Sequence, residues 1–322
     1  MSIILRLPIY ISEAEVADLI DISTTISVLD RAFRAEADGV AVNRSRIRIP
    51  IEGGFYNLMA ARDSTSGVVG LKVYTATKHG APMLIVLHAS DGTGLRAIIE
   101  GGKISGCRTG ALSGLSAQYM AREGKHVLGV IGTGFQARMQ ILGVAAAVDL
   151  ERINLYSRNV EKAQAFADKM ALEVNVPIAL LTTSAEVCQA SSIIVLITNS
   201  AEPVIKTVDV KPGTHVIAAG NNTWLRAEFE PSLAARAAVV AVDNLDQARI
   251  EAGELMRAVE LGLFSWEQAV SLGQVVGQKR LGRNSGEDVT LFCSQGVALL
   301  DVTVAQFVYE QALKNGRGHA LR

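Results

Sequence analysis

The sequence predicts an α/β protein in which a Rossmann-type, doubly wound parallel sheet is joined to a discontinuous β-rich domain. Three observations carry this: strand and helix patterns alternate in the second half, a glycine-rich turn follows the first of those strands, and a long helix comes after the last. At roughly 150 residues per domain, 322 residues also suit two domains.

Taken in order, the region from Ile47 to Leu87 has short apolar-rich stretches, Gly70 to Tyr74 and Met83 to His88 among them, split by Gly, Asp and Ser. That texture predicts β-hairpins. After Gly124 the strand-like segments Val127 to Ile131, Arg152 to Tyr156, Ile193 to Ile197, His215 to Ala218 and Val239 to Val242 are separated by helical ones, as in a parallel sheet covered on both faces. Val160 to Glu173 predicts one such helix, with Val160, Ala163, Phe166, Ala167 and Met170 on its apolar face. The helical stretch Val297 to Leu313 follows the strand-like Val289 to Phe292 and is expected to rejoin the first domain. The domains are therefore read as residues 1–120 with 294–322, and 121–293.

Composition excludes several classes of function. Lys plus Arg number 31 against 32 Asp plus Glu, a formal charge of -1 without the basic excess of a nucleic-acid or membrane-surface binder. The longest apolar run, Ala237 to Val242, falls far short of the roughly 18 residues of a membrane span. With one early arginine, Arg6, and acids from Glu13 onward, the N-terminus lacks the pattern of a secretory signal, so a cytoplasmic protein is expected. Cys107, Cys188 and Cys293 are widely spaced and read as buried reduced thiols, and no metal site is expected. No H-E-x-x-H, Walker or G-x-S-x-G motif occurs, and the scattered His79, His88, His126, His215 and His319 read as packing or surface residues.

The strongest local motif is His126-Val127-Leu128-Gly129-Val130-Ile131 running into Gly132-Thr133-Gly134-Phe135-Gln136-Ala137. A strand entering G-x-G-x-x-A before a helix is the context of a dinucleotide site: Gly132 permits the tight turn, and Gly134 lets backbone approach a pyrophosphate at the helix N-terminus. Cofactor type is read at the end of the second strand, where an acid that would bind a ribose hydroxyl is replaced by Ser157, Arg158 and Asn159. A carboxylate would repel a 2′-phosphate, whereas Arg158 can pair with it, so NADP(H) is preferred over the possible NAD(H).

Gly70-Leu71-Lys72-Val73, Cys107-Arg108-Thr109-Gly110-Ala111 with the Gly132 to Ala137 turn, and Val289-Thr290-Leu291-Phe292 before Gly296 together resemble the ornithine cyclodeaminase/μ-crystallin family across essentially the whole chain. The resemblance implies a substrate and dimerisation domain completed by the C-terminal helix, and a homodimer. It also implies that Arg46, Lys72 and Arg108 surround a substrate carboxylate. The alternation of Arg44, Arg46 and Arg48 independently suggests a strand with three guanidinium groups on one face, and Lys72 lies in an apolar strand where burial lowers its pKa. Arg108 is read as preceding a helix that starts at Thr109.

Departures from the family pattern select the reaction. Asn222 stands where the ornithine-specific enzymes carry an Asp, Asn57 where they carry a Glu, and Cys293 where the family usually has Asp. Loss of two acids removes the counter-charges for a cationic substrate tail. The resemblance therefore points to the ketimine reductase or pyrroline-2-carboxylate reductase branch: NAD(P)H-dependent reduction of a C=N bond beside a carboxylate, with Arg46 and Arg108 holding the carboxylate. Lys72 would give the proton and Asn222 would bond the imine nitrogen or the nicotinamide. The alternatives are a cyclodeaminase that recycles NAD and a non-catalytic NADPH-binding protein.

Overall fold

The computed structural model describes residues 7–321; Arg6 lies outside them. The chain forms two compact units, Met1–Arg108 with Val297–Arg322, and Thr109–Gly296. The divisions expected were 120/121 and 293/294; the first falls earlier because the later turns of the unbroken helix Gly102–Met120 pack on helix Ala137–Ala147. That packing needs glycines: a Cβ on Gly110 would collide with the Met139 carbonyl, and one on Gly143 with that of Gly110.

The first unit is built on an eight-stranded sheet. Its centre is an antiparallel meander of Gly54–Asp63, Val68–Thr77, Met83–Ala89 and Leu95–Glu100, with Ala41–Asn43 and Ile47–Ile51 both pairing to Gly54–Asp63. Ile9–Ile11 adds in parallel to Leu95–Glu100, and His319–Ala320 closes the edge. Period-two alternation gives the sheet two faces. Inward, Met59, Lys72, Ile85 and Ile99 form one cross-strand row. Helix Ala298–Lys314 crosses this face, with helices Glu13–Leu19 and Ile22–Ala37 against its other side. It is covered all round, which is why Leu299, Leu300, Val302, Val304 and Val308 read as a continuous apolar helix. Fully buried aliphatic side chains of this kind each contribute about 1.5–3 kcal/mol. Outward, Ile47, Leu58, Val73 and Leu84 form another row, in which Ile47 is 62% and Leu84 39% exposed.

The second unit holds eight parallel strands in the order Ile178–Leu180, Leu150–Tyr156, His126–Ile131, Ile193–Leu196, His215–Ala218, Thr290–Cys293, Val239–Val242, Ala269–Ser271. The chain winds outward from His126–Ile131 in one direction and then in the other, so the order reverses beside that strand. Central strands are buried at every residue, as two covered faces require. Both edge strands, three residues each, escape the sequence reading because so short a run carries no periodicity. Helix Val160–Met170 buries Ala163, Ala167 and Met170, but Val160 is exposed in its first turn.

Cys107, Cys188 and Cys293 are free and buried. Among the described residues no cluster of His, Cys, Asp and Glu could hold a metal, and no helix is long and apolar enough to cross a membrane.

Candidate functional site

In the second unit a cavity of about 540 Å³ opens at the C-terminal ends of the central strands, where the strand order reverses. Gly132, Thr133, Gly134, Phe135 and Gln136 form one wall. Gly132 has a φ of +108°, which favours glycine, and a Cβ there would lie 2.5 Å from the Ile197 carbonyl oxygen. At Gly134 a Cβ would meet nothing within 4 Å, so backbone there faces open space. No side chain caps helix Ala137–Ala147 at Gln136, and the buried Gln136 Oε1 has no hydrogen-bond partner. An uncapped helix N-terminus beside open backbone fits the phosphates of a dinucleotide, and the orphaned amide oxygen, an acceptor, suits a ribose hydroxyl.

Beyond the second strand, Ser157 and Arg158 line the cavity, whereas Asn159 does not: its Oδ1 accepts a 2.8 Å bond from Lys162 N and caps helix Val160–Met170. That bond turns the Asn159 side-chain oxygen to the helix. Lys162, which the sequence reading missed, lines the cavity one turn on and puts a second cation beside Arg158.

The opposite wall includes Thr198 and Gly220, which share one buried carboxylate. Glu228 Oε1 accepts from Thr198 N at 2.6 Å and Thr198 Oγ1 at 2.7 Å, and Oε2 accepts from Gly220 N at 2.7 Å. Burial pushes its pKa up to about 7 against these bonds, with Glu254 adding to the rise. Cys293 lies among Glu254, Asp243 and Glu228 and is pushed well above the usual thiol range by burial and these charges. A neutral thiol there spares the cluster another negative charge. Asn222 is exposed, two residues beyond Gly220. His215 is fully buried between Thr290 Oγ1 at 2.9 Å and Ser116 Oγ at 3.3 Å; burial lowers its pKa to about 3, so it is a neutral packing group.

In the first unit the structure brings Lys72 and Arg108 together on an acid that the sequence reading missed, Asp301, with Arg46 near Lys72. Lys72 Nζ lies 3.1 Å from Asp301 Oδ1 and donates to Ser105 Oγ at 2.7 Å; Arg108 Nε donates to the same Asp301 oxygen at 3.0 Å. Lys72 is 2% and Asp301 0% exposed. Burial drives the Lys72 pKa down to about 8, Arg108 and Arg46 push the same way, and Asp301 opposes them. Burial alone raises the Asp301 carboxyl, but Arg108 and Lys72 outweigh it and hold it below the ordinary value. The signal for Asp301 was present as one acid within the apolar run Ala298-Leu299-Leu300-Asp301-Val302, since buried acids almost always have partners.

Residues 44–46 lie between strands and the strand begins only at Ile47: Arg44 is exposed, while half-buried Arg48, opposite Asn57, and buried Arg46, with Nε 3.3 Å from Met59 Sδ, lie toward the lysine-bearing face. Arg108 lies within helix Gly102–Met120, whose N-terminus is taken by the Glu13 carboxylate bonding Gly102 N and Lys103 N, so the helix end is not available to a ligand beside Arg108. Asn57 is buried on the lysine-bearing face, and its Nδ2 donates to the Phe55 carbonyl at 3.4 Å.

Fold and cavity together define an α/β protein with a Rossmann-type dinucleotide-binding unit and a separate buried cationic centre. The family model for the ornithine cyclodeaminase/mu-crystallin family matches residues 8–316, and the chain belongs to that family. It is 35% identical over 226 residues to a Delta(1)-pyrroline-2-carboxylate reductase of Bacillus cereus, covering 70% of this chain and 69% of the relative. Among solved structures, the Thermococcus litoralis Delta(1)-pyrroline-2-carboxylate reductase, in complex with NADH and L-proline, superposes with a TM-score of 0.91 at 26% identity, over 97% of this chain and 100% of that one. An archaeal alanine dehydrogenase dimer with bound NAD gives 0.92 at 27% identity, over 98% and 99%.

Proposed function

We propose that the chain is an oxidoreductase acting on C–N bonds that uses NAD(P)H to reduce a C=N bond beside a carboxylate, forming an amino acid. The observation that carries this is the buried pair of Lys72 and Arg108 on one oxygen of Asp301, two cations against one carboxylate, with Arg46 close enough to lower the Lys72 pKa. A substrate carboxylate would balance the second charge, and relatives that act on pyrroline-2-carboxylate and alanine supply its chemistry. The substrate class is a cyclic ketimine such as pyrroline-2-carboxylate or piperideine-2-carboxylate, or an acyclic 2-imino acid.

A reduced nicotinamide bound in the cavity supplies the hydride. Arg46 and Arg108 hold the substrate carboxylate, which fixes the imine carbon. Lys72 passes a proton from Nζ to the imine nitrogen, and a pKa near 8 keeps it largely protonated at neutral pH while making the proton easy to give. Asn222, on its exposed loop, hydrogen-bonds the imine nitrogen or the nicotinamide.

The cofactor is NADPH in preference to NADH. Ser157, Arg158 and Lys162 line the cavity without a carboxylate among them, and two cations suit a 2′-phosphate. The bound NAD and NADH of the relatives make NADH the alternative. The apolar outer row of the first unit's sheet and the dimer of the alanine dehydrogenase support a homodimer through that face.

The test is NADPH oxidation by the purified protein over a panel of cyclic and acyclic imines. Turnover on at least one 2-imino carboxylate is expected; tight NADPH binding without turnover on any would overturn the reading. Arg46→Ala should raise KM for the imine at least about tenfold with NADPH affinity unchanged, since a charge-assisted bond contributes about 1.5–3 kcal/mol.

A further inference from the structure

We propose that Asp301 is the positioning residue of the cationic centre: one carboxylate oxygen that keeps Lys72 charged and aims Arg108. This rests on the reading of Lys72 as proton donor and Arg108 as carboxylate anchor, and adds the group that makes both roles possible.

Asp301 Oδ1 is shared by Lys72 Nζ at 3.1 Å and Arg108 Nε at 3.0 Å, so the two cations are fixed relative to each other through one atom. The groups facing Lys72 are Asp301 from the C-terminal helix, Ser105 and Arg108 from helix Gly102–Met120, Arg46 from the segment before Ile47–Ile51, and the Tyr74 ring, 5.2 Å from Nζ, on its own strand. Asp301 is the one anion of this set. Without it, Lys72 and Arg108 would face each other in a buried space with no carboxylate between them, and Lys72, which gives up its proton far more readily than an arginine, would do so.

The helix reaches Lys72 because of Gly70, two residues earlier on the same face. A Cβ there would stand 3.3 Å from Val302 Cγ2 and 2.7 Å from the Val86 carbonyl oxygen, so the missing side chain admits the turn that carries Asp301. This gives the Gly70-Leu71-Lys72 segment a physical reason: glycine brings the helix in and lysine meets its acid. In the reduction, the C=N carbon takes hydride and the nitrogen takes the Lys72 proton; Asp301 touches neither atom and accepts no proton.

The experiment compares wild type, Asp301→Asn, Lys72→Met and the double variant, all as full chains. Reduction is measured from pH 6 to pH 10, with NADPH affinity followed separately by fluorescence. Wild-type kcat/KM falls as pH rises through the Lys72 pKa. In Asp301→Asn that limb moves to lower pH by about one unit or more, KM for the imine rises at least about tenfold, and NADPH affinity stays within about twofold. An unmoved limb would overturn the proposal. Should Asp301→Asn fail to fold, the double variant decides: recovery of the fold with Lys72→Met shows that the carboxylate is required by the lysine charge, and failure of both shows a general structural role that sinks the proposal. If wild type reduces no imine, the functional reading fails, while the stability of the four proteins still tests the pairing: the loss caused by Asp301→Asn should at least halve in the Lys72→Met background.

Discussion

At the scale of the residue, the chemistry is set by what surrounds each charge. The burial of Lys72 was legible because it lies between Leu71 and Val73 in an apolar strand, and it is 2% exposed. Arg44 departs from the expected row for a backbone reason: the strand is interrupted over residues 44–46, and alternation fixes a common face only while a strand persists. Asn159 serves as a helix cap, a role that draws on the same residue types as a phosphate contact, and sequence alone does not separate the two. Arg158 provides the test of cofactor choice. Arg158→Asp should lower the preference for NADPH over NADH, measured as the ratio of kcat/KM values, at least about tenfold, because an attractive charge becomes a repulsive one. An unchanged ratio would leave the 2′-phosphate reading without support.

Among elements, close approach is what the glycines provide and what the sequence could not reveal. The G-x-G-x-x-A turn was readable because its strand and helix flank it, whereas Gly110 and Gly143 gain their meaning only from two helices crossing. Gly143→Ala should cost about 1–3 kcal/mol through forced separation of those helices, read as a lower melting temperature. Glu228 joins the loops after strands Ile193–Leu196 and His215–Ala218, and nothing near it in sequence announces this, because its partners are Thr198 and Gly220. Its pKa is raised from 4.5 to about 7, so between those values the folded state holds a proton that the unfolded state has lost. The stability this contributes is full below about pH 4.5 and disappears as pH rises through about 7. Melting temperatures from pH 5 to pH 8 should therefore fall more steeply in wild type than in Glu228→Gln; parallel slopes would contradict the assignment.

For the whole molecule, the α/β pattern was readable because a buried parallel sheet writes itself as repeated apolar runs, and the re-entrant chain because one long helix follows the last strand. The position of each division was not readable, since helix Gly102–Met120 is continuous across one of them. The outer row of the first unit's sheet leads to a prediction about assembly: Ile47→Lys with Leu84→Lys should convert a dimer into a monomer in light scattering while NADPH affinity is retained. A monomeric wild type would refute it. The central claim, hydride delivery to an imine carbon beside a carboxylate, is tested most directly with NADPH deuterated at C4 of the nicotinamide, following the product by mass spectrometry and NMR. One deuterium at the α-carbon of the resulting amino acid, with one NADPH consumed per product, is the predicted result. Ammonia and a cyclic amino acid formed from ornithine or lysine, without net change in cofactor, would contradict it and place the chemistry with the cyclodeaminases.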